Sequence, residues 1–233
     1  MTAPMKAMIL AAGRGERLRP LTDHTPKPLI DVGGQTLIGH HLSALARAGF
    51  SEVVINVAHL GDQIIDALGD GRDWGLQIAY SREVPGELDT GGGIRQALPL
   101  LGEQPFALIS ADVFTDFDYA QLNTMPSDCV MHAVLVDNPA HHPNGDFGLV
   151  GEGRAARLVD TRPRLTYAGI GVYAPSLFVP IETRRFPLVA VMRDALARGR
   201  ASGMYHRGRW VDVGRPSTLD AARALVGRAE AMR

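Results

Sequence analysis

The chain has 233 residues, 45% of them hydrophobic, which is enough for one sizeable core or for a core with a small insertion. Its 24 Lys and Arg residues against 25 Asp and Glu give a formal net charge of -1, so the basic excess typical of nucleic-acid-binding proteins is absent. No apolar run approaches the roughly 18 residues of a membrane helix, and the N-terminus lacks a signal-peptide pattern. The single cysteine, Cys129, excludes an internal disulfide, and we expect a cytoplasmic protein that binds neither nucleic acid nor membrane.

Strand and helix signals alternate along the first half of the chain. Short apolar runs predict strands at 5–10, 52–57, 76–80 and 106–109, and apolar residues at helical spacing predict helices at 36–48, 60–68 and 92–100. Further on, strands are expected at 129–136, 169–173 and 210–213, a loop at 137–146, and helices at 186–196 and 217–226. This order predicts an α/β fold of three layers, α/β/α, with a mixed central sheet and a small β insertion.

The densest group of candidate functional residues follows the first predicted strand, in the sequences LAAGRGERLRP (10–20) and TPKPL (25–29). Small residues at the carboxyl end of a strand let backbone N–H groups approach an anion closely. The segment matches neither a Walker A loop nor Gly-x-Gly-x-x-Gly. Four cations stand beside the glycine turn, which favours a triphosphate site over an ordinary turn with solvated arginines: Arg14, Arg17, Arg19 and Lys27.

Two aspartates stand at the ends of predicted strands. Asp112 follows the strand at 106–109, and Asp212 lies near the end of the strand at 210–213. Carboxylates that meet at one sheet edge suit Mg²⁺, which keeps several waters and binds phosphate oxygens. Each aspartate alone would equally fit a turn cap or an ion pair.

The sequence DTGGGI (89–94) combines a helix N-cap candidate, Asp89, with three glycines. It predicts a row of free backbone N–H donors at a helix start, although a plain capped helix fits the pattern as well. His141 and His142 occupy a polar loop, and we interpret them as solvent-exposed residues that bind no metal, because zinc sites need three or four ligands at defined spacing.

The run LAAGRGERLRPLTDHTPKPLI resembles the signature of the sugar-1-phosphate nucleotidyltransferases, and DTGGG, SAD (110–112) and WVDVG (210–214) follow in the family's order. The resemblance covers essentially the whole chain. It implies a Rossmann-like, GT-A-like fold in a single domain, 1–233, in which 5–112 bind the nucleotide and 113–233 the sugar phosphate. The sequences LVDNPAHHPNGDFGL and DTGGGI most resemble members that transfer UMP from UTP to N-acetylmuramic acid α-1-phosphate, a step in peptidoglycan recycling.

The resemblance also implies roles for individual residues. Arg17 and Lys27 are expected to be catalytic, and Asp112 and Asp212 to hold Mg²⁺. Ala111 stands where the family usually has glycine. The sugar phosphate is expected at Asp146, Gly148 and Gly169, and the nucleotide at Leu10, Ala11, Ala12, Gly13, Arg14, Gly15, Glu83, Gly91 and Ala111.

Glu83 falls where the family places a side chain that contacts the base. A carboxylate accepts the N3–H of uracil or thymine, or the N1–H of guanine, whereas N3 of cytosine is itself an acceptor. Within the family that the sequence resembles, the alternatives left open are a thymidylyl- or uridylyltransferase for glucose 1-phosphate and a guanylyltransferase for mannose 1-phosphate. A non-catalytic regulatory module that binds a nucleotide sugar is a further alternative.

The implied reaction needs no nucleophilic triad. A sugar 1-phosphate has a second pKa of about 6, so its attacking oxygen is largely anionic at neutral pH, and the protein must supply positive charge and alignment. The lactyl carboxylate of muramic acid needs a cation or N–H donors near the sugar, for which Arg82, Arg95 and Arg162 are candidates. We expect a monomer or a weak homodimer.

Overall fold

A nine-stranded mixed sheet forms the centre of the protein, whose computed structural model describes residues 5–122, 125–153, 156–179 and 181–231. The helices are α1 (Leu37–Arg47), α2 (Gly61–Leu68), α3 (Thr90–Leu101), α4 (Leu188–Ala197) and α5 (Pro216–Ala231). The strands are β1 (Ala7–Leu10), β2 (Glu52–Val57), β3 (Gln77–Arg82), β4 (Phe106–Ser110), β5 (Val113–Thr115), β6 (Met131–Val136), β7 (Gly148–Val150), β8 (Arg157–Val159), β9 (Thr166–Tyr173), β10 (Ala201–Tyr205) and β11 (Trp210–Asp212).

The strand order in the sheet is β3-β2-β1-β4-β9-β6-β10-β8-β7. Strands β3, β2, β1 and β4 pair in parallel with their neighbours in this order. Strand β9 is antiparallel to both β4 and β6. Leu10 pairs with Asn56 on one side and with Ser110 on the other, so β1, β2 and β4 end at the same level. Strands β5 and β11 form a separate antiparallel ribbon beyond this edge.

The core lies on both faces of the sheet. Successive side chains of a strand point to opposite faces, so a strand buried on both sides contributes to the core on each. Along β1, Ala7 and Ile9 pack in the cluster that contains residues of α1 and α2, whereas Met8 packs in the cluster with residues of α3 and α4. The predicted three-layer architecture with a mixed central sheet is confirmed. No helix in the described ranges is long and apolar enough to cross a membrane.

Every predicted strand and helix has a counterpart in the structure, but four strands were not predicted. Strands β5, β7 and β8 have three residues each, which is too short to show a period of two. The fourth, β10, has the sequence ASGMY, in which glycine and serine weaken the strand signal. Helix α3 begins at Thr90 rather than at residue 92, because the side chain of Asp89 caps it by accepting the Thr90 N–H.

Candidate active site

Backbone groups at the end of β1 form the floor of the site. The N–H of Ala11 donates to Asn56 Oδ1 at 2.8 Å, and the N–H of Ala111 donates to the Leu10 carbonyl at 3.0 Å. A Cβ added to Gly13 would meet no atom within 4 Å, so the loop that follows β1 opens onto free space at this point. The sequence therefore places an accessible backbone turn at the carboxyl end of the first strand, where open α/β sheets bind ligands.

Gly15 allows the loop to fold back against Lys27. Its φ of +65° lies in the left-handed region, and an added Cβ would lie 3.0 Å from Thr22 Cγ2 and 3.2 Å from Lys27 Cβ. The Thr22 hydroxyl donates to the Gly15 carbonyl at 2.9 Å. Both the backbone conformation and the close approach of Lys27 therefore favour glycine at this position.

Lys27 is directed at the aspartate that follows β4. Its Nζ lies 2.8 Å from Asp112 Oδ2, and the lysine side chain is 10% exposed whereas that of Asp112 is 42% exposed. Lys27 begins a short 3₁₀ turn, Lys27–Leu29, whose first residues are buried. The ammonium group is thus held at the sheet edge, where Lys27 lines the first cleft described below.

The backbones of Asp112 and Asp212 occupy adjoining positions at the start of the β5–β11 ribbon. Asp212 pairs with Val113, and the N–H of Val213 donates to the Asp112 carbonyl at 2.8 Å. Arg17 belongs to the same group, because a Cβ added to Gly214 would lie 2.9 Å from Arg17 Nη2 and 3.1 Å from Asp212 Oδ1. The structure brings the predicted metal ligands and a predicted catalytic arginine together from three distant parts of the chain.

The donor set fits a magnesium ion whose remaining ligands come from a substrate. Within the described ranges, no group of three His, Cys, Asp or Glu side chains is arranged to hold a metal ion. The carboxylates of Asp112 and Asp212 supply hard oxygen donors, but two such groups are too few to enclose a cation. Mg²⁺ is commonly bound by one or two carboxylates together with phosphate oxygens and water, so the remaining positions suit phosphate groups.

Two clefts meet at Asp112. The first has a volume of about 720 Å³ and the second about 490 Å³, and both are lined by Leu10, Thr90, Ser110 and Asp112. Of the predicted residues, the first cleft is lined by Leu10, Ala11, Ala12, Gly13, Gly15, Arg17, Lys27, Glu83, Ala111 and Asp112. The second is lined by Leu10, Asp112, Asp146, Gly169 and Asp212, whereas Arg14, Gly91 and Gly148 line neither.

A buried asparagine connects the loop after β1 to Glu83, the candidate base-contacting residue. Asn56 accepts the Ala11 N–H through Oδ1 and donates through Nδ2 to Glu83 Oε1 at 2.7 Å. Partial burial raises the pKa of Glu83, and the hydrogen bond from Asn56 opposes that rise. Asn56 was not among the predicted site residues. The only signal for it in the sequence is a polar residue between the apolar residues Ile55 and Val57 near the end of the strand EVVINV.

The glycines at the start of α3 do not offer the free N–H row that the sequence predicted. The N–H groups of Gly91 and Gly92 both donate to the Phe186 carbonyl, at 3.0 and 3.3 Å, so the prediction is wrong for these two. A Cβ on Gly91 would lie 2.4 Å from the Phe186 ring, and one on Gly92 2.4 Å from the Arg184 carbonyl oxygen. A Cβ on Gly93 would lie 2.4 Å from Glu83 Oε1. The glycines therefore make room for a neighbouring segment and for Glu83.

Asp146 is fixed in the second cleft by two partners. Its Oδ2 accepts the Tyr167 N–H at 2.8 Å, and its Oδ1 lies 3.1 Å from His142 Nε2. Gly169 has a φ of +73°, and an added Cβ would lie 2.8 Å from Ser110 Oγ. Gly148 has a different environment, because it packs within the β7–β8 hairpin. A Cβ added to Gly148 would lie 2.4 Å from the Thr161 carbonyl oxygen.

The two histidines of the 137–146 loop line the second cleft, and His141 is exposed to solvent, as expected. Their side chains are 33% and 41% exposed, and Nε2 of His141 lies 3.7 Å from Asp212 Oδ2. No local sequence pattern indicates that these histidines line the cleft, because their position depends on how the loop folds over the sheet edge.

Comparison with known proteins identifies the family. A family model described as "Nucleotidyl transferase" matches residues 6–227. The chain belongs to the nucleotidyl transferase family. Members of this family generally use a divalent metal.

Two curated members of the nucleotidyl transferase family are similar to the chain along almost its full length. The N-acetylmuramate alpha-1-phosphate uridylyltransferase of Neisseria meningitidis serogroup B is 51% identical over 96% of this chain and 99% of its own. The protein of the same name from Caulobacter vibrioides is 33% identical over 97% and 99%. A putative glucose-1-phosphate thymidylyltransferase from Bacillus anthracis has the same fold, with a TM-score of 0.81 at 22% identity over 96% and 95% of the two chains.

Proposed function

We propose that the protein transfers the uridylyl group of UTP to N-acetylmuramic acid α-1-phosphate and forms UDP-N-acetylmuramic acid and pyrophosphate. The proposal rests on the family, on the relatives of 51% and 33% identity, and above all on one geometric observation. Lys27 and Asp112 are in contact at the border that the two clefts share, where a nucleotide in one would meet a sugar phosphate in the other. The product is an activated cell-wall sugar, so we assign the reaction to peptidoglycan recycling.

The first cleft is proposed to bind UTP through residues 5–112. The backbone turn from Leu10 to Gly15 approaches the phosphates. Arg17 donates to the β- and γ-phosphates, whose oxygens its planar guanidinium binds through two parallel hydrogen bonds. Glu83 accepts the N3–H of uracil, and Asn56 orients the Glu83 carboxylate through its 2.7 Å hydrogen bond.

The reaction is proposed to be an in-line displacement at the α-phosphorus of UTP. An anionic oxygen of the sugar phosphate forms the new P–O bond, the bond from the α-phosphorus to the bridging oxygen breaks, and pyrophosphate leaves with that electron pair. No general base is needed, because the nucleophile has already lost its proton at neutral pH. Lys27 exchanges its contact with Asp112 for the reacting phosphates and offsets their mutual repulsion.

Asp112 and Asp212 are proposed to hold Mg²⁺. When bound there, the ion supplies positive charge to the phosphate oxygens of both reactants. The two carboxylates stay in place through the backbone pairing of β5 with β11, so the protein sets the position of this charge before substrates arrive.

Residues 113–233 are proposed to bind the sugar phosphate in the second cleft. Asp146 accepts a sugar hydroxyl, since both of its oxygens are already oriented by Tyr167 and His142. Gly169 lets the backbone of β9 approach the sugar at the level of Ser110. The roles of Gly148, Gly91 and Arg14, the cytoplasmic location, the single-domain boundary and the monomeric or weakly dimeric state stay predictions.

A non-catalytic nucleotide-sugar-binding module is not favoured, because such a module would not require Lys27, Asp112 and Asp212 to be kept together at the cleft border. The test is pyrophosphate release from each of the four NTPs combined with 1-phosphates of N-acetylmuramic acid, N-acetylglucosamine, glucose and mannose. UTP with N-acetylmuramic acid 1-phosphate should give the highest kcat/KM, about tenfold or more above any other pair. A higher kcat/KM for another pair would contradict the proposal.

A further inference from the structure

The second cleft contains carboxylates but no strong cation. Among the described residues that line it are Asp112, Asp146 and Asp212, and none is a lysine or an arginine. The long basic side chains near the site, Arg17, Lys27 and Arg185, line the first cleft. N-acetylmuramic acid 1-phosphate carries a second anion besides its phosphate, the carboxylate of its lactyl ether. That carboxylate loses part of its hydration on binding and needs a donor on the sugar side.

The arginines expected to meet this carboxylate are engaged elsewhere or lie outside the cleft. Nη1 of Arg82 is 2.7 Å from Asp62 Oδ1 on the exposed side of β3. Arg95 donates to the Ile181 carbonyl, and its guanidinium carbon lies 5.4 Å from the centre of the Phe186 ring. Arg162 does not line the second cleft either.

The basic side chains that do line the second cleft are His141 and His142. The ring of His142 is already bonded to Asp146 at 3.1 Å. His141 Nε2 is 3.7 Å from Asp212 Oδ2, which is longer than a hydrogen bond, and among the described residues its ring has no hydrogen-bond partner. His141 therefore keeps a ring N–H available to a ligand.

The loop that carries His141 is braced at both ends. Asn138 Nδ2 donates to the carbonyls of Pro143 and Arg164, at 3.2 and 2.9 Å, and its Oδ1 accepts the Thr166 hydroxyl at 2.8 Å. These bonds hold the loop against β9 before any ligand binds. A donor on such a loop costs little conformational entropy when it forms a new hydrogen bond.

We propose that His141 donates its ring N–H to the lactyl carboxylate and thereby selects a carboxylate-bearing sugar phosphate. The inference rests on the proposed function and adds the residue that determines its sugar specificity. A neutral imidazole and its protonated form both present an N–H donor, so the contact does not depend on one protonation state. The same cleft is lined by Leu188, Val189 and Met192 of α4, which offer apolar contact to the lactyl methyl group.

The experiment compares two ligand pairs that differ only in the lactyl ether. Binding of UDP-N-acetylmuramic acid and of UDP-N-acetylglucosamine is measured by calorimetry, and pyrophosphate release is measured with the two corresponding 1-phosphates and UTP. The variants are His141→Ala, which removes the donor, and His141→Gln, which keeps an N–H. The control is His24→Ala, an exposed histidine that lines neither cleft. Calorimetry gives the comparison even where the sugar without the lactyl ether turns over poorly.

We expect His141→Ala to weaken binding of the muramic acid nucleotide by about tenfold or more, in the range of one lost hydrogen bond to a charged group. Binding of UDP-N-acetylglucosamine and the KM for UTP should change by less than about twofold, and His141→Gln should recover part of the loss. His24→Ala should match the unmodified protein. Should the alanine variant unfold, His141→Phe, which keeps the ring without an N–H, replaces it.

Two results overturn the inference and are distinguishable. If the unmodified protein is active with N-acetylmuramic acid 1-phosphate and His141→Ala weakens both nucleotide sugars equally or neither, then His141 does not contact the lactyl carboxylate. An equal loss would assign it to the phosphate or to a part that the two sugars share. If the unmodified protein releases no pyrophosphate from UTP and N-acetylmuramic acid 1-phosphate, the proposed function fails and the inference fails with it.

Discussion

Lys27 Nζ and Asp112 Oδ2 lie 2.8 Å apart, although 85 residues separate them in the chain. The lysine follows the loop after β1, and the aspartate follows β4, the parallel neighbour of β1. Two parallel strands thus deliver opposite charges to one sheet edge. In the proposed reaction, this ion pair holds the ammonium beside a carboxylate until phosphate groups bind.

Replacing Lys27 with alanine should lower kcat by about a hundredfold or more, because the charge acts on the transition state of phosphoryl transfer. The melting temperature should change little, since Asp112 is 42% exposed and water can replace its partner. The matched control is Lys6→Ala, which removes an ion pair of the same length, 2.8 Å to Glu52, outside both clefts. Normal turnover by the Lys27 variant would remove it from the catalytic residues.

Glu83→Gln should alter the choice of base. A glutamine side chain offers an N–H₂ donor to N3 of cytosine, whereas the carboxylate offers only acceptors. The ratio of kcat/KM for UTP to that for CTP should therefore fall by about tenfold or more, measured by pyrophosphate release. Asn56→Ala should lower kcat/KM for UTP without favouring CTP, because it frees Glu83 from its 2.7 Å partner but keeps the carboxylate. If the ratio of kcat/KM for UTP to that for CTP is unchanged in Glu83→Gln, then Glu83 does not contact the base.

Sequence patterns predicted which strands end at the sheet edge that carries the site, because each of these strands has its own local signal. Leu10 ends an apolar run, Asp112 follows one and Lys27 follows the glycine turn. Parallel strands align their carboxyl ends, so these positions were expected at one edge of the sheet. Asn56 was missed because its role depends on two partners, Ala11 and Glu83, that only the folded sheet brings together. No local pattern could supply that pairing.

The glycines of α3 show a second limit of sequence patterns. A helix start with three glycines fits an anion site, and the pattern is the same whether its N–H groups face a ligand or a distant segment. Here the Phe186 carbonyl, about 95 residues away in the chain, occupies the N–H groups of Gly91 and Gly92. His141 is a similar case, because the orientation of its loop depends on the bonds that Asn138 makes to distant residues.

The packing role of these glycines predicts a loss of stability on substitution. Gly92→Ala should lower the free energy of unfolding by about 1–3 kcal/mol, because the new methyl group would lie 2.4 Å from the Arg184 carbonyl oxygen and the backbone must move. Gly13→Ala is the control, since its Cβ meets nothing within 4 Å, and its free energy of unfolding should stay within about 0.5 kcal/mol. Denaturant titration measures both, and equal stability of the two variants would contradict this account.

Two buried histidines should make the stability depend on pH. Burial lowers the pKa of His41 to about 4 and that of His132 to about 4, whereas both titrate at about 6.5 in an unfolded chain. Between these values the unfolded chain binds protons that the folded protein does not. The free energy of unfolding should therefore fall as the pH is lowered from about 6.5, by up to roughly 1.4 kcal/mol per pH unit for each histidine, and should be insensitive to these groups above pH 7.

The measurement is the free energy of unfolding from denaturant titration between pH 7.5 and 5, a window that lies above the ordinary pKa values of carboxylates. His132→Gln keeps a side chain able to bond Ser202, which lies 2.9 Å from Nδ1 of the histidine, and removes one titrating group. The free energy of unfolding of this variant should depend less steeply on pH than that of the unmodified protein, by the contribution of one histidine. His24→Gln, an exposed histidine, should leave the slope unchanged, and an equal slope for all three proteins would show that burial of His132 does not govern the acid response.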